Sequence, residues 1–221
     1  MAMKSKVLVV GGTGYLGKRL AKASLAQGHE TYVLHREEIG VDIDKVQMLL
    51  SFKQQGARLV PASFSDHQSL VNAVKLVDVV ICAISGVHIR SHQILLQLKL
   101  VDAIKEAGNV KRFLPSEFGT DPARMENAME PGRLTFDDKM VVRRAIQEAG
   151  IPFTYVSANC FAGYFLGEQN YAEQVGLTHY YHVCYEGCLA NFEIGDGGEE
   201  ASKLYPEVKY TSVEDYMKRY L

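Results

Sequence analysis

Cysteine is scarce in this chain: Cys82, Cys160, Cys184 and Cys188 are the four among 221 residues. So few in a chain of this size do not suggest a disulfide scaffold, and a reducing, cytoplasmic setting is the expectation. No apolar stretch approaches the length of a membrane span. The apolar run from Val7 stops at glycine after four residues, so no secretory signal is expected. No block of like charge stands out, and 24 Lys+Arg against 26 Asp+Glu leave a formal net charge of -2. Nothing therefore favours nucleic acid or an anionic membrane as a partner. Internal repeats and low-complexity tracts are also missing. What remains is an ordinary globular composition, 47% hydrophobic and 23% charged. The length suits one domain with a sizeable core, or one domain with a small appendage.

From residue 4 to about 157 the pattern alternates. Apolar, β-rich runs occur at Val7–Val10, Thr31–Leu34, Arg58–Pro61, Val79–Ala83, Arg112–Leu114 and Phe153–Val156. Amphipathic helical stretches separate them, and four end in glycine (Gly28, Gly56, Gly108 and Gly150) just before the next run. Glycine after a helix takes the left-handed capping conformation without a Cβ penalty. Strand, helix, glycine, strand predicts βαβ units. The fold class is α/β, a Rossmann-type doubly wound parallel sheet, over residues 1–158. Such a sheet binds ligands beyond the C-terminal ends of its strands. Functional residues are expected after Val10, Leu34, Ala83, Leu114 and Val156. Residues 159–221 read as a partial C-terminal region. It holds an aromatic, glycine-rich Asn159–Gly167, a Tyr- and His-rich Tyr171–Tyr185, and a turn at Gly195–Glu200. A short strand at Val208–Tyr210 and a closing helix at Ser212–Tyr220 complete it.

The segment Gly11-Gly12-Thr13-Gly14-Tyr15-Leu16-Gly17 directly follows the first apolar run. Its G-x-x-G-x-x-G spacing is that of a dinucleotide-binding turn, in which glycines let the backbone approach a pyrophosphate. The following helix N-terminus offers N–H groups and the positive end of its dipole. NAD-binding turns place a carboxylate at the tip of the second strand, but here the tip reads His35-Arg36. Arg36 can pair with a 2′-phosphate, and Lys45 at the start of the next helix can add a second positive charge. NADPH is therefore the expected cofactor. The plain alternative for both residues is solvated surface charge, and Glu37 and Glu38 are competing partners for Arg36.

A usable Tyr-x-x-x-Lys pair is also lacking. The one match, Tyr205 to Lys209, contains Pro206, which opposes a continuous helix. On the helix before the sixth apolar run, Lys139 takes the lysine position, but Thr135 stands where the tyrosine would be. A reductase using a tyrosine acid is disfavoured. Burial, a cationic nicotinamide and Arg143 one turn on can all lower the lysine pKa. A neutral amine can then deprotonate a phenol, whose own pKa is near 10 by analogy with tyrosine. The plain alternative is a surface lysine paired with Asp137 or Asp138.

Several segments together resemble the plant isoflavone-reductase-like family of phenolic reductases. They are Val9–Gly17, Thr31–Leu34, Asp44–Gln47, Asn109–Gly119, Asn159–Phe165, Asn191–Ile194 and Leu204–Tyr210. Ser85-Gly86-Val87-His88, the Asp44–Gln47 run and the ending Asn191–Ile194 with Leu204–Tyr210 place the likeness nearest the members that act on furan lignans. The resemblance implies that Gly11, Gly12, Thr13, Gly14, Tyr15, Leu16 and Gly17 cradle the pyrophosphate, and Arg36 and Lys45 the 2′-phosphate. It implies Lys139 as general base, Arg143 as a further cofactor contact, His179 and Phe161 as substrate contacts, and a homodimer. Ser116 would cap or position rather than react. The implied reaction is reduction of a lignan benzylic ether through a quinone methide, without a metal. Phenylcoumaran or isoflavone reduction, and a silent NADP(H) sensor, are the alternatives. A metal site at His179, His182, Cys184 and Cys188 has suitable ligand types, but these residues read more naturally as the packed face of one helix. One departure is large. Family members carry a long segment after the Gly163-Tyr164-Phe165 region, whereas here Leu166-Gly167 runs almost directly into Glu168-Gln169-Asn170. The sheet half of the likeness is complete and the substrate half partial.

Overall fold

The computed structural model describes residues 4–36, 42–85, 93–125, 128, 133–159, 192–212, 215 and 218. The chain divides into two compact units, Met1–Ser157 and Ala158–Leu221.

In the first unit, strands β1 (Lys6–Val10), β2 (Glu30–His35), β3 (Arg58–Pro61), β4 (Val79–Cys82) and β5 (Arg112–Leu114) form one parallel sheet in the order β3-β2-β1-β4-β5. Helices α1 (Gly17–Ala26), α2 (Ile43–Gln54), α3 (His67–Lys75), α4 (Leu96–Ala107) and α5 (Arg133–Glu148) connect or follow the strands. Alternation along β1 divides the core between the two faces. Val7 and Val9 pack with Ala21 of α1 and Leu49 and Phe52 of α2. Leu8 and Val10 pack with Leu70 and Val74 of α3, Leu100 and Ile104 of α4, and Val142 and Ile146 of α5. A parallel strand buried on both faces must be apolar at every position, which is why the runs show no alternation. The expected helix-ending glycines all have positive φ: Gly28 at 73°, Gly56 at 98°, Gly108 at 66° and Gly150 at 64°.

The sixth expected strand shrinks to one bridge, Phe113 with Phe153. Phe113 N donates to the Pro152 carbonyl at 2.8 Å and Thr154 N to the Phe113 carbonyl at 2.9 Å. The next bond of this parallel ladder would need an N–H from Pro115, which has none. Phe153–Val156 is thus an edge segment ended by its neighbour's proline.

In the second unit, the described residues hold a short helix, α6 (Ala201–Leu204), and a turn at Asp196-Gly197, all exposed. The expected strand at Val208–Tyr210 is not formed; these residues are exposed and irregular. A strand needs a neighbour to complete its backbone bonds, and the described residues supply none. Helix α6 ends at Leu204, before Tyr205 and Pro206, so Tyr205 and Lys209 do not share a helix. Most of the expected closing helix lies outside the described residues. No described helix is long and apolar enough to cross a membrane.

Candidate active site

The site begins at the turn after β1, where space is limited by backbone. A Cβ on Gly17 would lie 2.0 Å from the Gly11 carbonyl oxygen, and one on Gly11 would lie 2.7 Å from that of Ala83. Gly11 also has φ +80°. Both positions therefore exclude a side chain. Gly12 abuts a side chain instead, with its Cβ position 2.7 Å from Val33 Cγ1. The turn closes through Gly14 N donating to the Gly11 carbonyl at 3.0 Å. Helix α1 then starts with no side-chain cap at Leu16 and no acidic residue in its first turn. Its neighbours differ: Asp42 caps α2 through Lys45 N, and Asp66 caps α3 through Ser69 N. The first N–H groups of a helix need acceptors from outside it. At α1 the N–H groups of Lys18 and Arg19 donate to the Gly14 and Leu16 carbonyls at 3.0 and 2.9 Å, which leaves the glycine turn itself as the backbone that would face an anionic group such as a pyrophosphate. Tyr15 is stacked by the Arg19 guanidinium, 4.0 Å from its ring centroid.

At the tip of β2, Arg36 is exposed. Lys45 sits in the first turn of α2, with Nζ 2.5 Å from its cap Asp42. Both can meet a phosphate from the solvent side, Lys45 by exchanging its partner. Glu37 and Glu38 lie outside the described residues.

The other end is built where β5 stops. Ser116 is buried; its N–H donates to Gln97 Oε1 at 2.7 Å and its hydroxyl to the Ile84 carbonyl at 2.6 Å. Ser116 thus fastens the end of β5 to that of β4, beside the residues that abut Gly11. Its hydroxyl proton is engaged, which suits positioning rather than attack. Cys82, last in β4, is fully buried, and burial pushes its thiol up to about 12. It is an unreactive core residue.

Helix α5 carries Thr135, Lys139 and Arg143 at successive i, i+4 positions, hence on one face. Lys139 is 9% exposed, not a surface lysine. Its Nζ donates to the Glu117 backbone carbonyl at 2.8 Å. Burial holds its pKa below the usual lysine value. Glu117 and Asp121 oppose that shift, and Arg143 adds to it. Arg143, expected as a cofactor contact, also has an internal set of partners. Its Nε and Nη2 donate to the two Glu117 carboxylate oxygens, each at 3.0 Å, and Nη1 to Asp121 Oδ1 at 2.8 Å. Its guanidinium also lies 4.3 Å from the Tyr155 ring centroid. Three of its five N–H groups are spent inside the protein.

The structure thus brings together the glycine turn, the β4 and β5 ends and Lys139 in one unit. Phe161, His179, and the metal alternative at His179, His182, Cys184 and Cys188 lie outside the described residues. Among the described residues, no group of three or more His, Cys, Asp or Glu is placed to hold a metal. Glu117 and Asp121 were overlooked by sequence reasoning. The available signal was a glutamate inside the apolar strand-end run Leu114-Pro115-Ser116-Glu117-Phe118.

Residues 3–183 match the NmrA-like family. The bifunctional pinoresinol-lariciresinol reductase of Linum album is 60% identical over 309 aligned positions, covering 98% of this chain and 94% of the relative. That of Forsythia intermedia is 56% identical over 311 positions, covering 99% of each. The solved structure of AtPrR2 with NADP+ and (+)pinoresinol matches with a TM-score of 0.88 and 45% identity over 100% of both chains. The Linum album alignment has 309 positions against 221 residues here, so at least 88 positions face no residue of this chain.

Proposed function

Because the chain belongs to the NmrA-like family and, within it, to the pinoresinol-lariciresinol reductases, we propose that it is an NADPH-dependent reductase of furan lignans. Its reactions would be pinoresinol to lariciresinol, lariciresinol to secoisolariciresinol, or both. The observation that carries this reading is Lys139: a buried amine with a lowered pKa, on a helix whose tyrosine position holds threonine. That arrangement suits removal of a proton from a phenol and offers no tyrosine acid for ordinary carbonyl reduction.

In the proposed mechanism the turn from Gly11 to Gly17, with the positive end of the α1 dipole behind it, would hold the pyrophosphate. Arg36 and Lys45 take the 2′-phosphate. Lys139 removes the phenolic proton of the lignan. The electrons of the para oxygen expel the benzylic ether oxygen, which leaves as an alkoxide and takes a proton from water, opening the ring to a quinone methide; the lysine later returns its proton to the restored phenolate. NADPH, when bound, supplies the hydride that reduces the benzylic carbon. Arg143 supports the base through Glu117 and would offer its remaining N–H groups to the cofactor. His179 and Phe161 complete the substrate side, and the protein works as a cytoplasmic homodimer.

We place the positions missing relative to the Linum album enzyme near 167–170, within a substrate-binding remainder spanning 159–221. Their loss would leave the NADPH end intact and weaken the lignan pocket, and it favours an NADP(H)-binding protein without turnover as the second reading. The test is incubation of the purified chain with NADPH and pinoresinol, lariciresinol, dehydrodiconiferyl alcohol or an isoflavone, followed by chiral product analysis. Lariciresinol or secoisolariciresinol is the expected product. Consumption of dehydrodiconiferyl alcohol or the isoflavone alone would move the assignment to the sister reactions. NADPH binding with no product would select the second reading.

A further inference from the structure

The loop after β5 holds a backbone conformation that it would not adopt unaided. Glu117 N donates to the Pro115 carbonyl at 2.8 Å, a bond across a single residue. Phe118 follows at φ +38°, a region that non-glycine residues rarely occupy. Between these two distortions lies the carbonyl that accepts from Lys139 Nζ at 2.8 Å. The surrounding bonds account for its persistence. Ser116 is tied on one side to Gln97 and Ile84. On the other, Glu117 is clamped at two points by Arg143, with Asp121 completing the guanidinium's coordination. A two-point guanidinium–carboxylate pair fixes distance and plane together. Glu117 and Arg143 are also well screened from water, with side chains 4% and 11% exposed.

We propose that Glu117 is a positioning residue for Lys139: locked by Arg143, it holds its own backbone carbonyl against the amine and so sets where the lone pair points. The proposal rests on the reading of Lys139 as the base. A neutral amine has two hydrogens and one lone pair. Committing one hydrogen to a fixed carbonyl removes much of the rotational freedom that would otherwise aim the lone pair away from a phenol. Glu117 has a second effect through its charge. The charged groups acting on Lys139 are the Glu117 and Asp121 carboxylates from the loop and the Arg143 guanidinium from its own helix. The carboxylates favour the ammonium, while burial and Arg143 favour the free amine. Glu117 therefore restrains the very shift that burial produces.

The test separates the two actions by pairing a titration of the amine with turnover. In the full chain labelled with 15N-lysine, the Lys139 Nζ signal is identified by its loss in Lys139→Met and followed against pH. Glu117→Gln should move its midpoint down by about one pH unit, and Asp121→Asn in the same direction by less. Glu117→Asp keeps the charge but shortens the reach, so it should leave the midpoint nearly in place. Where the wild-type chain reduces a lignan, both Glu117 variants should lower kcat by about 10- to 100-fold with the KM for NADPH unchanged. An unmoved Nζ midpoint in both Glu117→Gln and Asp121→Asn overturns the proposal, as does an unchanged kcat in both Glu117 variants. If Glu117→Gln does not fold, Glu117→Asp decides through its kcat. A wild-type chain that reduces no lignan refutes the function above, and the Nζ titration still decides this proposal.

Discussion

The turn after β1 and the loop after β5 stand at the same edge of one sheet, yet the first is assembled from backbone and the second from side chains. Gly11 and Gly17 exclude any Cβ because carbonyl groups occupy the space. The β5 loop instead depends on Gln97, Glu117, Asp121 and Arg143 reaching it from α4, the loop itself and α5. Backbone can recognise a phosphate that every nucleotide shares. Adjusting one amine to one proton transfer needs charges that are chosen individually. The difference also separates what a single substitution can do at each end.

The largest effect is expected at the side-chain end. Lys139→Met should lower turnover about 10²- to 10⁴-fold, the usual contribution of a general base, while NADPH binding stays near wild type. Near-normal turnover would remove the lysine from the mechanism. The same variant should melt at a higher temperature near neutral pH. A lysine whose folded pKa is lowered holds fewer protons folded than unfolded between the two values. Its burial therefore costs stability in full below the folded pKa, and the cost fades as pH rises towards the unfolded value. A melting curve series against pH checks the sign: the gap between variant and wild type should close in alkali.

At the backbone end, Gly17→Ala sets a methyl group against the Gly11 carbonyl. Overpacking of this kind costs about 1–3 kcal/mol, so NADPH should bind some ten- to hundred-fold more weakly by titration calorimetry. Unchanged affinity would mean that the turn does not hold the phosphates. Arg36→Ala should act more narrowly, losing about tenfold of the preference for NADPH over NADH with NADH binding unaffected. Gly108→Ala sharpens the comparison from outside the site. Its φ is +66° and its Cβ would meet nothing within 4 Å. The penalty should be about 1 kcal/mol of stability in denaturant unfolding, with no change in NADPH affinity.

This contrast also explains what could be read from the sequence. The glycine turn and the helix-ending glycines were legible because backbone geometry demands one residue type at one place. The strands were legible because a doubly covered sheet demands unbroken apolar runs. Lys139 stands out in the sequence by its place in the Tyr-x-x-x-Lys spacing and by the family likeness, whereas its burial is visible only in the fold. The partnership of Glu117 with Arg143 was not legible, since 26 residues separate them and only the βα crossover brings them together. The sixth strand was overestimated because its own residues suit a strand, while the proline that ends its ladder belongs to the neighbouring segment.

The central place of β1 has a consequence for biosynthesis. It is made before both of its partners, since its two edges are completed by β2 at Glu30–His35 and by β4 at Val79–Cys82. At roughly 5–20 residues per second, a strand of five residues rich in valine waits several seconds with one edge bare. Bare strand edges pair readily with other chains. Until Val79–Cys82 is made, β1 therefore carries an edge that only a later part of the chain can cover.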